Sequence, residues 1–173
     1  NDPYIGGQHL PDQIIIKPIF HDGVRIAWTG TFMHTSETGG SEPGGGKVKA
    51  TEIFAEGIRI SGLKIVEKGK FRPDVFNTIV LQTRDPHLVG LDIKARIAAN
   101  NVCTKSYLSL IQKYGAEFVQ RASKRIIVDS EKMARAKLAG LPDGVWRSRE
   151  YGDHSGTVEK PFKVACTMTK KGD

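Results

Sequence analysis

Cysteine is scarce in this chain. Its two cysteines, Cys103 and Cys166, lie far apart and lack C-x-x-C spacing. That points away from a disulfide framework and from a structural zinc site. Both are expected as buried, neutral thiols of a cytosolic protein. No apolar run approaches the roughly 18 residues of a membrane helix, so no membrane role is expected. No G-x-S-x-G is present, which leaves serine hydrolysis without its usual elbow. Cys103 falls inside an expected helix, a poor place for a nucleophile that needs a neighbouring base. A P-loop is missing too. Setting Gly46-Lys47 as its Gly-Lys puts Ser41 at the first glycine and Val48 after the lysine, so ATP binding by this chain alone is not expected. No internal repeat is visible.

What is present bounds the rest. The chain has 173 residues, 39% of them hydrophobic, 26% charged, with a net charge of +7. That length allows one compact domain with a real core. The positive balance invites a nucleic-acid reading. However, the basic residues are spread along the chain and interleaved with acids, as in SEKMARAKLAG. No aromatic–basic pattern for single strands appears. A solvated surface, or contact with an acidic partner subunit, is expected instead.

Strands come first, then helices, then strands again. QIIIKPIF and VRIAWTGTF are β-branched and aromatic, with HDG between them, the signature of a hairpin. A glycine-rich loop, TSETGGSEPGGGKVKAT, fills residues 35–51, and GIRISGLKIVEKG resumes extended structure with a break at Gly62. Pro73 opens a short helix running to about Thr83. A long helix starts at Asp85-Pro86, where Asp is a good N-cap and Pro at the first helical position sacrifices no hydrogen bond. Leu88, Leu91, Ala95, Ala98 and Val102 keep helical spacing and are expected as its core stripe. Asp92, Arg96 and Asn100 then form an exposed, salt-bridged face. Gly115 ends this helix, a second covers Ala116 to Ala139, and VWRSREY and PFKVACTMT are C-terminal strands. The expected class is α+β, with segregated strands and helices. The chain starts at Asn1 without methionine, and its last strand-like run has no closing element. It is therefore expected to be an excerpt, a single incomplete domain over 1–173.

Residues 6–40 hold three of the five histidines. A three-residue loop at His21-Asp22-Gly23 with a G1 bulge would pair Phe20 with Val24. Asp12 would then lie opposite Phe32 and Leu10 opposite His34, with Asp12 and His34 diagonal neighbours on one face. A two-residue Asp-Gly turn would shift the register by one and send them to opposite faces. His9 precedes Pro11, where an irregular approach can swing it beside Asp12. Two imidazoles and a carboxylate make a facial set for a divalent metal, with manganese, zinc and iron all acceptable. On spacing alone the alternative stands beside it: a histidine near a strand end is more often a surface or hydrogen-bonded residue. His21, His87 and His154 are expected at the surface.

NDPYIGGQHLPD, HTSETGG, TEIFAEGIRI, GLDIKARIAANN and LPDGVW, in this order, resemble the hydantoinase B/oxoprolinase family, and within it the ketone carboxylases. The resemblance runs over nearly the whole chain. It implies a long polypeptide and a hydantoinase A-type partner, or fused domain, that binds ATP. It also implies a metal on the H-x-x-D block and a downstream histidine, which here are His9, Asp12 and His34. Glu37 takes the acidic position of the family's His-x-x-acid-x-Gly-Gly loop, where Asp is commoner, and is a candidate catalytic residue.

The resemblance implies a cytoplasmic, ATP-dependent hetero-oligomer. It would carboxylate a ketone such as acetophenone or acetone with bicarbonate to a β-keto acid. The alternative is ATP-driven opening of a cyclic amide. A reading of another class is a non-catalytic scaffold segment at a subunit interface. A non-haem iron oxygenase would also suit two histidines and a carboxylate, but the resemblance argues against it. Glu52 and Glu56 flank IFA and share a face whether extended or helical. As carboxylates just after the loop they could bind metal or move protons, with a solvated pair the equal alternative. The glycine-rich loop is expected as a mobile lid, or else an anion nest assisted by Lys47 and Lys49.

Overall fold

A computed structural model describes residues 1–156 and 158–172. The class is α+β. An antiparallel hairpin of β1 (Asp12–His21) and β2 (Val24–His34) comes first, followed by a short α1 (Ile53–Glu56). A small hairpin, β3 (Val66–Glu67) and β4 (Lys70–Phe71), leads into α2 (Pro73–Val80). The long α3 (Pro86–Tyr114) and α4 (Ala116–Ala139) precede a final hairpin, β5 (Gly144–Gly152) and β6 (Phe162–Lys170). Among the described residues each strand pairs only with its chain neighbour, giving three two-stranded antiparallel sheets. Among the described residues no helix is long and apolar enough to cross a membrane. The chain forms two compact units, residues 1–108 and 109–173.

The first unit carries the main cluster of buried apolar residues. Ile79 and Val80 of α2 pack with Val89 and Ile93 of α3, joined by Ile15, Ile58, Ile60, Ile65, Val75, Phe76 and Ile97. Asp85 caps α3 as its sequence suggests: its Oδ1 accepts the Leu88 amide at 2.9 Å. Truncating such a cap costs about 1 kcal/mol.

The buried face of α3 is not the one its leucines mark. Leu88, Leu91 and Val102 are 43%, 50% and 66% exposed, and Ala95 and Ala98 are exposed as well. The helix instead buries Val89, Ile93, Arg96 and Asn100, the last two only 4% and 1% exposed. The expected salt-bridged surface face is thus the face that meets the hairpin. Its polar atoms are matched one by one. Arg96 donates Nη1 to the Gln13 carbonyl at 3.0 Å and Nη2 to Gln13 Oε1 at 2.9 Å. Asn100 donates to the Ile15 carbonyl at 2.9 Å and accepts from Thr29 Oγ1 at 3.1 Å. A buried polar group is tolerable only when bonded, and here the hairpin supplies the partners.

In the second unit α4 is laced by i,i+4 pairs, such as Arg125–Asp129 at 2.8 Å and Arg135–Glu131 at 2.9 Å. The last hairpin runs in register from Gly144↔Lys170 to Gly152↔Phe162. One of its faces carries Trp146, Met168, Val164 and Phe162, all exposed. Cys103 and Cys166 are exposed too, which corrects their expected burial. Cys103 falls on the solvent side of α3, and Cys166 shares the uncovered face of β6.

A candidate metal centre on the first hairpin

The register of β1 and β2 decides where the histidines point. The turn is the two-residue alternative. His21 pairs with Val24, and Asp22 and Gly23 both adopt left-handed conformations, φ 49° and 76°. That is the type I′ geometry Asp-Gly favours, and it corrects the expected three-residue loop. Alone, this turn would set Asp12 opposite Met33 and turn it away from His34. The register shifts once more, between Ile19↔Ala27 and Phe20↔Arg25. Ile26 is the extra residue of a β-bulge. The bulge restores the parity that the turn removes, and Asp12 pairs directly with His34.

The entry segment brings the second imidazole. Asn1 anchors it, donating Nδ2 to the carbonyls of Leu10 at 2.7 Å and Ile58 at 3.0 Å while its Oδ1 accepts the Ile60 amide at 2.7 Å. Leu10 is fully buried. A turn closed by the Asp12 amide on the His9 carbonyl, 3.1 Å, then stacks His9 over Asp12. The Pro11 carbonyl accepts the Thr35 amide at 2.8 Å and ties this turn to the end of β2.

As a result His9 Nε2 lies 3.0 Å from Asp12 Oδ2. The rings of His9 and His34 are 4.9 Å apart. One ligand atom from each of His9, Asp12 and His34 lies within 4.8 Å of the other two. Neighbouring ligands about 2.0–2.2 Å from a shared ion stand roughly 3.0–3.6 Å apart, so side-chain rotation would have to draw the set together around an ion. Asp12 is buried, His9 half-buried and His34 exposed, which leaves the cluster open on the His34 side. Nitrogen and carboxylate donors without thiolate suit manganese, iron or zinc.

The two glutamates stand apart from this cluster. Glu52 lies exposed at the start of α1 and makes no side-chain capping bond. Glu37 is buried, 5% exposed, and both its oxygens are engaged. Oε1 accepts the Gly39 amide at 2.6 Å and Oε2 the Gly44 amide at 3.0 Å. Burial pushes its carboxyl up, but the Gly44 and Gly39 amides and the charges of Lys47 and Arg84 outweigh this and hold it below its ordinary value. Lys47 turns its ammonium onto the carbonyls of Glu42 and Gly44, so it is committed to its own loop. Two residues important here were not singled out from the sequence. Asn1 opens a family block but carries no chemical signal. Arg84 sits in an ordinary T-R-D-P junction.

The chain belongs to the hydantoinase B/oxoprolinase family, whose model matches residues 1–173. It is 35% identical over 176 residues to the acetophenone carboxylase delta subunit of Aromatoleum aromaticum, covering 100% of this chain and 26% of that protein. It is 29% identical over 173 residues to the caprolactamase beta subunit of Pseudomonas jessenii, covering 100% of this chain and 30% of that one. The crystal structure of the ATP-dependent caprolactamase from Pseudomonas jessenii matches all of this chain and 30% of its own, with a TM-score of 0.91 at 29% identity. The chain therefore spans 26–30% of the length of these relatives. Both relatives are enzymes and both are named as subunits.

Proposed function

We propose that the chain is the metal-holding part of an ATP-dependent ketone carboxylase, which joins a ketone such as acetophenone or acetone to bicarbonate to give a β-keto acid. The observation that carries this reading is the convergence of His9, Asp12 and His34 on one face of one hairpin, with ligand atoms within 4.8 Å of each other. His9 and His34 would each give a ring nitrogen and Asp12 a carboxylate oxygen. A divalent ion held there supplies Lewis acidity to a carbonyl or enolate oxygen. The likeness to the acetophenone carboxylase delta subunit along 100% of the chain supports carboxylation. In that reaction the ketone loses a proton from its α-carbon, bicarbonate breaks a C–O bond to give CO₂ and hydroxide, and the α-carbon bonds to the CO₂ carbon; the proton and hydroxide amount to the water that ATP hydrolysis takes up. ATP would be consumed on a hydantoinase A-type partner subunit, because the glycine-rich loop of this chain does not match the P-loop motif.

A second reading has its own support. The ATP-dependent caprolactamase has the same fold, at a TM-score of 0.91, and opening a cyclic amide also needs a polarised carbonyl. The readings separate in one assay of the full-length complex. With ATP, labelled bicarbonate enters a β-keto acid from a ketone panel under the first. Under the second, lactams or hydantoins are opened without label uptake. The metal is tested apart from activity. Elemental analysis is expected to find manganese, zinc or iron in the wild type, and little in His34→Ala and Asp12→Ala. Equal metal in all three would remove the centre from this chain and favour a scaffold role.

A further inference from the structure

The glycine-rich loop lies against the candidate metal centre, and one arginine from elsewhere in the fold fastens it there. A Cβ added at Gly45 would stand 2.9 Å from the Thr35 carbonyl, 3.1 Å from His34 Cε1 and 3.4 Å from Pro11 Cβ. A side chain at Gly45 would therefore press on Cε1 of the His34 imidazole, the carbon between its two ring nitrogens. Nothing bulkier than glycine fits.

The loop is held in this position by Glu37 and Arg84. The Glu37 carboxylate gathers the Gly39 and Gly44 amides, 2.6 and 3.0 Å away, and so closes the loop on itself. Arg84, from the connection between α2 and α3, grips the same ring of residues. Its Nη1 donates to the Glu42 carbonyl at 3.1 Å and lies 3.4 Å from Glu37 Oε1, and its Nη2 donates to the Gly40 carbonyl at 2.8 Å. A planar guanidinium fork can meet three acceptors in fixed directions, which an ammonium cannot reproduce.

We infer that Arg84 is a positioning residue of the metal centre, acting through Glu37 to clamp the glycine-rich loop so that Gly45 fixes the His34 imidazole. Glu37 becomes a structural partner in this clamp, with its oxygens turned to the loop and to Arg84. The inference rests on the metal reading for its consequence, but the clamp itself can be measured without metal.

The test uses the full-length protein, metal-free, as wild type, Arg84→Gln, Arg84→Lys and Gly45→Ala. Amide exchange over residues 38–46 reports the loop. The rate at which diethyl pyrocarbonate modifies His34, read by mass spectrometry, reports the imidazole. Chelator competition with Mn²⁺ reports affinity. Arg84→Gln is expected to lose protection across 38–46, raise His34 reactivity several-fold and weaken Mn²⁺ binding roughly 10–100-fold, as supporting groups of metal ligands do. Arg84→Lys should restore little. Gly45→Ala, which keeps both Arg84 and Glu37, should raise His34 reactivity and weaken Mn²⁺ binding by itself. Unchanged His34 reactivity in a folded Arg84→Gln overturns the inference, whatever Gly45→Ala does. So does a loss seen only alongside global unfolding in Arg84→Gln while Gly45→Ala behaves as wild type. A wild type that takes up no Mn²⁺ removes the metal reading, whereas loop exchange and His34 reactivity still decide the clamp.

Discussion

Glu37 shows how a residue's environment overrides its type. A carboxylate on a loop beside a candidate metal centre suggests proton transfer, whereas this one is buried and accepts hydrogen bonds from two loop amides. Its carboxyl sits below the ordinary value despite burial, so the charged form is the one the fold favours. The sign of the pH dependence follows. The clamp's contribution is complete above the unfolded Glu value of about 4.3 and is lost as pH falls below it, through the folded value. Protection of amides 38–46, corrected for intrinsic exchange, is expected to stay level from neutral pH down to that range and then to drop. Glu37→Gln should remove the pH step and leave the loop less protected throughout. A wild-type loop equally protected well below that range would contradict this account.

At the level of the element, a single inserted residue sets the chemistry of the first hairpin. The Asp22-Gly23 turn and the Ile26 bulge each change the pairing by one. Their sum keeps Asp12 and His34 on one face. Deleting Ile26 should slip the strand by one residue and point His34 to the opposite side. The expected result is loss of Mn²⁺ uptake with helical circular dichroism close to wild type. Metal retained in the deletion would mean that the strands find another bulge. The same hairpin selects the buried face of α3. Leucine spacing marks one side of the helix, but Gln13, Thr29 and the Ile15 carbonyl bond Arg96 and Asn100 on another. Unmatched hydrogen-bonding groups are more costly in a core than partly exposed leucines at its edge.

On the scale of the whole molecule, much apolar surface is left bare. The outer face of the first hairpin carries Ile14, Ile16, Trp28 and Phe32, and the last hairpin carries Trp146, Val164 and Met168, all exposed. Contiguous apolar patches of this kind mark interfaces or drive association. Expressed alone, residues 1–173 are expected to self-associate as concentration rises, in sedimentation velocity. A monodisperse monomer at high concentration would show that these faces tolerate water.

Local chemistry and order along the chain were enough to determine the α+β class, the family, the cap and start of α3 and both long helices, and they marked His9, Asp12 and His34 as candidates. Each of these depends on neighbours within a few positions or on blocks read in sequence. Only the tertiary structure decided the parity of the hairpin, the buried side of α3 and the partners of Glu37. A bulge adds one residue without a composition signal, and periodicity cannot tell which of two helix faces finds hydrogen-bond partners. Arg84 meets Glu37 across 47 positions of sequence, a contact that exists only once α2 and α3 have packed beside the loop.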